Sequence, residues 1–154
     1  MKYDNLIKTV KALFKDEPNT LALLSNASAF LMENIKDINW VGFYLKTKDG
    51  LSVGPFQGKV ACSLIKPKMG VVGSSYSEGL IKVIPNVSLE ENHIYCDPSS
   101  KSEVVIPIFN QSRVWGVLDV DSPIINRFDQ NLVGFLHQFT LTLTNFIDFN
   151  NPLL

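Results

Sequence analysis

Cysteine and histidine are scarce in this sequence, with two of each among 154 residues. Two cysteines are too few for the disulfide framework of a small secreted domain. Cys62 and Cys96 lie 34 residues apart, which is not the spacing of a zinc site. An excess of one charge is missing as well: 14 Lys and Arg stand against 15 Asp and Glu, for a formal net charge of -1 and a pI near 6.1. The lysines are scattered rather than striped, so neither nucleic acid nor an anionic membrane is expected as a partner. No apolar run approaches the length that spans a bilayer, and Lys2, Asp4 and Lys8 interrupt the N-terminus where a signal peptide needs an unbroken apolar stretch. The expectation is a soluble, cytoplasmic protein, in which a lasting structural disulfide would be unusual. Its two thiols are then reactive, transiently bonded or simply buried.

What is present is enough apolar sequence for one core, 45% of residues, with 19% charged. One domain over residues 1–154 is expected. Leu6, Val10, Leu13 and Phe14 recur at helical spacing over residues 3–15, and Leu23, Ala27, Phe30 and Leu31 repeat it after a cap at Asn19 or Thr20. An uncharged aromatic and β-branched run, residues 38–45, reads as a strand with Trp40 and Tyr44 on one face. Asp49-Gly50 signals a two-residue hairpin turn, with residues 51–53 as the returning strand and Gly54-Pro55 as its break. Residues 70–73 read as a tight turn leading into a short helix over 74–78, and residues 81–84 as a brief strand. Two further strands, 103–109 and 114–121, flank the polar turn at residues 110–113. In the second of these, strict alternation puts Trp115, Val117, Asp119 and Asp121 on one face. Asp129 caps a final helix carrying Leu132, Phe135, Leu136, Phe139, Leu143, Phe146 and Ile147. The fold class is α+β, with helices from both ends packed on the sheet.

Between the short strand and the pair that follows runs the stretch His93-Ile94-Tyr95-Cys96-Asp97-Pro98-Ser99-Ser100-Lys101-Ser102-Glu103. Its Pro and Ser content forbids a regular helix, and the apolar strand behind Glu103 anchors it at that one end. A thiol on such a loop is a candidate reactive group. His93 is near enough to favour its thiolate while Asp97 opposes it, and the plain reading of His93, as of the partnerless His137, is a surface histidine. Asp119 and Asp121, on one strand face, contribute nothing to stability by proximity, so they should face a cation. A hard metal ion or a ligand ammonium group would serve, and the competing reading is a strand end fraying into solvent. Glu103 joins them if the neighbouring strand brings it to the same mouth. Trp40 and Tyr44, taken alone, read as core.

Four motifs carry a resemblance: Asn39-Trp40-Val41-Gly42-Phe43-Tyr44-Leu45; Gly54-Pro55-Phe56-Gln57-Gly58-Lys59-Val60-Ala61-Cys62; His93-Ile94-Tyr95-Cys96-Asp97 with Ser102-Glu103; and Gly116-Val117-Leu118-Asp119-Val120-Asp121-Ser122-Pro123. In this order, within residues 21–146, they resemble the free methionine-(R)-sulfoxide reductases, a family built on the GAF domain. The resemblance implies a GAF-like, six-stranded antiparallel sheet with helices packed on it, a homodimer, and a pocket for a free amino acid. It implies Cys96 as nucleophile, Cys62 as resolving cysteine, and Trp40, Tyr44, Glu103, Asp119 and Asp121 as substrate-binding residues. No metal and no bound cofactor are implied, only an external dithiol of the thioredoxin type. Two positions depart from the family pattern: Val72 stands where a third cysteine often occurs, and Tyr95 replaces a small residue before the nucleophile. The alternative is a non-catalytic GAF module that senses a small ligand, although no output domain follows within these 154 residues. A cation-binding structural domain would explain the aspartates and leave both cysteines idle.

Overall fold

The computed structural model describes residues 2–92 and 96–151. His93 and Tyr95 lie outside the described residues. The elements in chain order are α1 (Lys2–Phe14), α2 (Thr20–Asn34), β1 (Trp40–Thr47), β2 (Gly50–Gly58), β3 (Leu64–Ile65), α3 (Gly70–Glu78), β4 (Lys82–Ile84), β5 (Ser102–Asn110), β6 (Arg113–Ser122) and α4 (Gln130–Thr144). The strands form one sheet in the order β3-β2-β1-β6-β5-β4, with every neighbouring pair antiparallel. Among the described residues no helix is long and apolar enough to cross a membrane.

The two faces of the sheet have different occupants. On one, Val41, Phe43, Leu45, Val104, Ile106, Ile108, Leu118 and Val120 meet the apolar stripes of α2 and α4. Both helices begin on a side-chain cap: the Asn19 carboxamide oxygen accepts from Ala22 N–H, and the Asp129 carboxylate from Leu132 N–H. Each cap contributes about 1 kcal/mol. Helix α1 lies outside this layer, with Tyr3 stacked on Phe135 at a ring separation of 4.7 Å. The other face carries a smaller cluster, Trp40, Tyr44, Leu51, Ile65, Val71, Val72, Val105 and Val117, roofed by α3.

Several local expectations are corrected. The hairpin turn centres on Lys48 and Asp49, since Gly50 already pairs with Thr47 as the first residue of β2. Gly54 and Pro55 do not break β2. The register with β1 shifts between Gly42 and Tyr44 instead, and the ladder resumes at Phe56. Pro55 is tolerated because β3 pairs only with Leu51 and Ser52, which leaves the outer edge open there. The helix expected from residue 74 starts at Gly70, so that residues 70–73 form its first turn. Trp115 leaves the face predicted for it: the β5–β6 register passes from Ile108 opposite Gly116 to Phe109 opposite Val114, and Trp115 has no partner. A bulge of this kind reverses the alternation. Trp115 therefore packs with the helix layer, edge-on to Phe149, while Val117 stays with the opposite cluster.

Candidate active site

The pocket lies on the face roofed by α3, and strand register builds its floor. Paired residues in adjacent antiparallel strands share a face. Trp40 of β1 lies opposite Asp121 of β6, which in turn lies opposite Glu103 of β5, forming one row across three strands. Two residues along, the next row is Gly42, Asp119 and Val105. Gly42 is required there, because a Cβ would fall 2.3 Å from that of Phe56. Tyr44 and Val117 make the third row. Three carboxyl groups that are 16 to 18 residues apart, or next-but-one in a strand, thus come within 4.8 Å of one another. The frayed strand end considered for the aspartates is ruled out, because both are paired with the strands on either side and Asp119 is 6% exposed.

This crowding dictates the protonation. At 4.8 Å two full negative charges would repel by about 3.5 kcal/mol even at an effective dielectric of 20, so the three do not ionise together. Burial is the main cause of the upward shift in each case. Glu103 is pushed up to about 8, with the Asp121 charge adding to the effect and a hydrogen bond with Asp119 opposing it. Asp119 and Asp121 are raised well above the ordinary carboxylate range, Asp119 further by Glu103 and Asp121 further by Asp119 and Asp97. Asp119 Oδ1 and Asp121 Oδ1 are buried without a hydrogen-bond partner among the described residues. An empty acceptor of this kind is costly in a resting fold and suits an incoming donor.

These shifts have a sign that can be tested. A carboxyl held protonated by the fold contributes stability that is complete below its unfolded value and is lost as pH rises through its folded value. The melting temperature of the ligand-free protein is expected to fall by roughly 5 °C between pH 5 and pH 8.5. Glu103→Gln should flatten that slope in a thermal denaturation series. A slope of the same size in the variant would remove Glu103 as its source.

The walls are aromatic and sulfur. Trp40 stacks on Phe56 at 5.2 Å and on Tyr44 at 5.8 Å. Both ring systems also hold the segment that carries Cys62. Trp40 Nε1–H donates to the Lys59 carbonyl at 3.1 Å, and the Tyr44 hydroxyl donates to the Cys62 carbonyl at 3.0 Å. Burial, with the nearby Asp119, Asp121 and Glu103, raises the Tyr44 hydroxyl far above its ordinary value and keeps it a donor. Gly58, at φ 130°, lets this segment leave β2 close to the indole: a Cβ there would lie 2.6 Å from Trp40 Cδ1. Cys62 and Cys96 are joined in a disulfide, with their Cα atoms 5.7 Å apart. Cys96, Glu103, Asp119 and Asp121 line one pocket of about 500 Å³, measured out to its mouth. Gly70, Val71 and Val72 at the start of α3 close one side, with Val72 as an apolar wall.

All seven site residues expected from the sequence therefore gather around this pocket, Cys62 through its bond to Cys96. Asp97 and Ser100 also line it, two residues that the sequence does not single out as part of the site. The Asp-Pro-Ser pattern at residues 97–99 was a readable sign of a side-chain-closed turn. Asp97 accepts from Ser99 N–H at 2.9 Å and from the Ser99 hydroxyl at 2.6 Å. Those bonds hold its carboxyl below the usual range in spite of burial, and Lys59 and Asn39 add to the effect.

The architecture is an open antiparallel sheet with one face sealed by helices and a pocket on the other, lined in part by Cys96 of the Cys62–Cys96 disulfide. The chain belongs to the GAF domain family, whose model matches residues 20–145, and within it to the free methionine-R-sulfoxide reductases. It is similar to the free methionine-R-sulfoxide reductase of Escherichia coli strain K12, at 43% identity over 126 residues, covering 82% of this chain and 76% of that protein. The protein of the same name from Saccharomyces cerevisiae is 37% identical over 143 residues, covering 88% and 79%. Among solved structures, the reduced fRMsr of Staphylococcus aureus superimposes with a TM-score of 0.89 at 43% identity over 93% of each chain. The same enzyme in complex with substrate gives 0.88.

Proposed function

We propose that this protein reduces free L-methionine-(R)-sulfoxide to methionine, with Cys96 as nucleophile and Cys62 as resolving thiol. The observation that carries the reading is one pocket lined by Cys96, itself bonded to Cys62, and by three carboxyl groups within 4.8 Å of one another, Glu103 and Asp119 buried and Asp121 half-buried. In the reduced protein the Cys96 thiolate attacks the sulfoxide sulfur while a protonated carboxyl delivers its proton to the oxygen. Oxygen passes to Cys96 as a sulfenic acid, and methionine leaves with the electron pair. Cys62 then attacks the sulfenic sulfur, water departs, and the disulfide forms. An external dithiol of the thioredoxin type supplies the two electrons that reopen it.

The carboxyl trio suits both tasks asked of it. A carboxyl kept neutral near pH 7 by burial and like charge is a proton donor, while an ionised neighbour holds the ammonium group of a free amino acid. Trp40, which lines the pocket and is held by its contacts with Tyr44 and Phe56, offers apolar surface to the methyl end. A single domain over residues 1–154, acting as a cytoplasmic homodimer without metal or bound cofactor, completes the proposal. The test is methionine release from the free (R)-sulfoxide with dithiothreitol, run beside the N-acetylated sulfoxide. Release from the first and little from the second is expected. Rapid reduction of the N-acetyl form would overturn the role given to the carboxyl groups.

Cys62→Ser separates the two thiol steps. Chemistry at Cys96 survives, and resolution does not. Activity with a thioredoxin-type reductant should fall roughly tenfold or more, against a smaller loss with a small thiol that reaches the sulfenic acid directly. Equal activity with both reductants would take Cys62 off the pathway.

A further inference from the structure

The sequence anchors the loop bearing Cys96 only at its strand end, and the structure gives it a second anchor. Asn39 sits immediately before β1, and its backbone N–H donates to the Asp121 carbonyl at 3.0 Å, which ties it to the pocket floor. Its side-chain amide turns the other way, toward the cysteine loop. Asn39 Nδ2 donates to Asp97 Oδ2 at 3.1 Å, to Ser100 Oγ at 3.0 Å and to Ser99 Oγ at 3.3 Å. All the donor capacity of one amide is thus spent on residues 97–100. Its own Oδ1 is buried with no partner among the described residues, so general satisfaction of the amide does not account for this placement.

Asp97, bonded covalently to Cys96 through the chain, is the acceptor at the centre. It is 7% exposed and closes its own turn through Ser99, while Ser100 N–H donates to its backbone carbonyl at 3.2 Å. On the far side Lys59 Nζ stands 4.0 Å from Asp97 Oδ1. Lys59 belongs to the segment that brings Cys62, so the same carboxylate touches both cysteine-bearing stretches. Lys59 is 74% exposed, so this contact contributes little to stability. The part-buried bond from Asn39 to the buried Asp97 carboxylate is the structural one.

We propose that Asn39 and Asp97 are positioning residues for resolution: the amide–carboxylate clamp holds the 97–100 turn on the start of β1 and so keeps the Cys96 sulfur within bonding reach of Cys62. This rests on the thiol reading above, and it applies to the second step. Without the clamp the oxidised Cys96 spends more of its time away from Cys62, and the sulfenic acid lives longer.

Hydrogen peroxide gives a test independent of the sulfoxide. It converts the Cys96 thiolate to the sulfenic acid with release of hydroxide, and attack by Cys62 then expels water. The rate of disulfide closure is read by quenched-flow mass spectrometry, with a sulfenic-acid-trapping dione to catch the intermediate. Asn39→Ala and Asp97→Asn are each expected to slow closure roughly tenfold or more, the scale set by loss of a charge-assisted hydrogen bond. The exchanged pair Asn39→Asp with Asp97→Asn restores one donor facing one acceptor at unchanged net charge, and closure should return to within about threefold of the wild type. Recovery in the exchanged pair separates positioning from loss of folding, which exchange of polarity would not repair. Wild-type closure rates in either single variant, or slow closure in the exchanged pair when its melting temperature matches the wild type, would overturn the clamp. A wild-type protein that closes rapidly with peroxide yet releases no methionine from the sulfoxide would overturn the proposed substrate and leave the clamp standing.

Discussion

Cys96→Ser is expected to abolish sulfoxide reduction, with kcat/KM falling by at least about 10³-fold, while the melting temperature of the reduced protein stays within a few degrees of the wild type. A hydroxyl at this position is neither ionised near neutral pH nor soft enough to attack sulfur. The fold does not depend on the thiol, since Cys96 lies outside both apolar clusters. Methionine release is measured by amino-acid analysis under excess dithiothreitol, which removes any dependence on resolution. Turnover near the wild-type rate would mean that another group attacks the sulfoxide, and the described residues contain no cysteine besides Cys62 and Cys96.

Asp119→Asn should be nearly as damaging by a different route, lowering kcat/KM about 10²-fold, with most of the loss in KM. The side chain is buried in the pocket floor, hydrogen-bonded to Glu103, with one oxygen left unsatisfied among the described residues. An amide there keeps the shape, removes the charge that an ammonium group seeks, and adds donors where the ligand also brings donors. Isothermal titration with methionine, using the Cys96→Ser background to prevent chemistry, reads binding alone. Wild-type affinity in that titration would show that Asp119 does not receive the amino group. Because burial raises the proton affinity of these carboxyl groups in the empty pocket, binding a cation should release protons. The enthalpy should therefore vary with the ionisation heat of the buffer, and Asp119→Asn should reduce that variation.

Much of this protein can be read from its sequence because the signals involved are local. Leu23, Ala27, Phe30 and Leu31 on α2, and Leu132 through Leu143 on α4, announce their helices by spacing alone, and Asn19 and Asp129 mark where they begin. Alternation in β1 correctly put Trp40 and Tyr44 on one face, and they line the pocket as well as packing in its cluster. Alternation failed at Trp115, where a bulge reverses it, and at Pro55, where an open sheet edge accepts a residue that a central strand would reject. Neither the bulge nor the edge has a local signature, since each is a property of two strands.

The sequence by itself determined which groups are available for chemistry: two thiols, a handful of acids and one aromatic pair, in a chain of nearly balanced charge. It also placed Asp119 and Asp121 two apart on a strand, which assigns them a common face without any knowledge of the fold. Only the tertiary structure decided that Glu103 completes that pair, because strand register sets Glu103 opposite Asp121. It alone decided that all three hold their protons more tightly than free carboxyl groups do, since burial and separations within 4.8 Å are what raise their proton affinity. The bond between Cys62 and Cys96 was decided in the same way, through contacts distant in sequence: Trp40 and Tyr44 hold one cysteine segment, Asn39 holds the other, and their separation follows from where β1 begins.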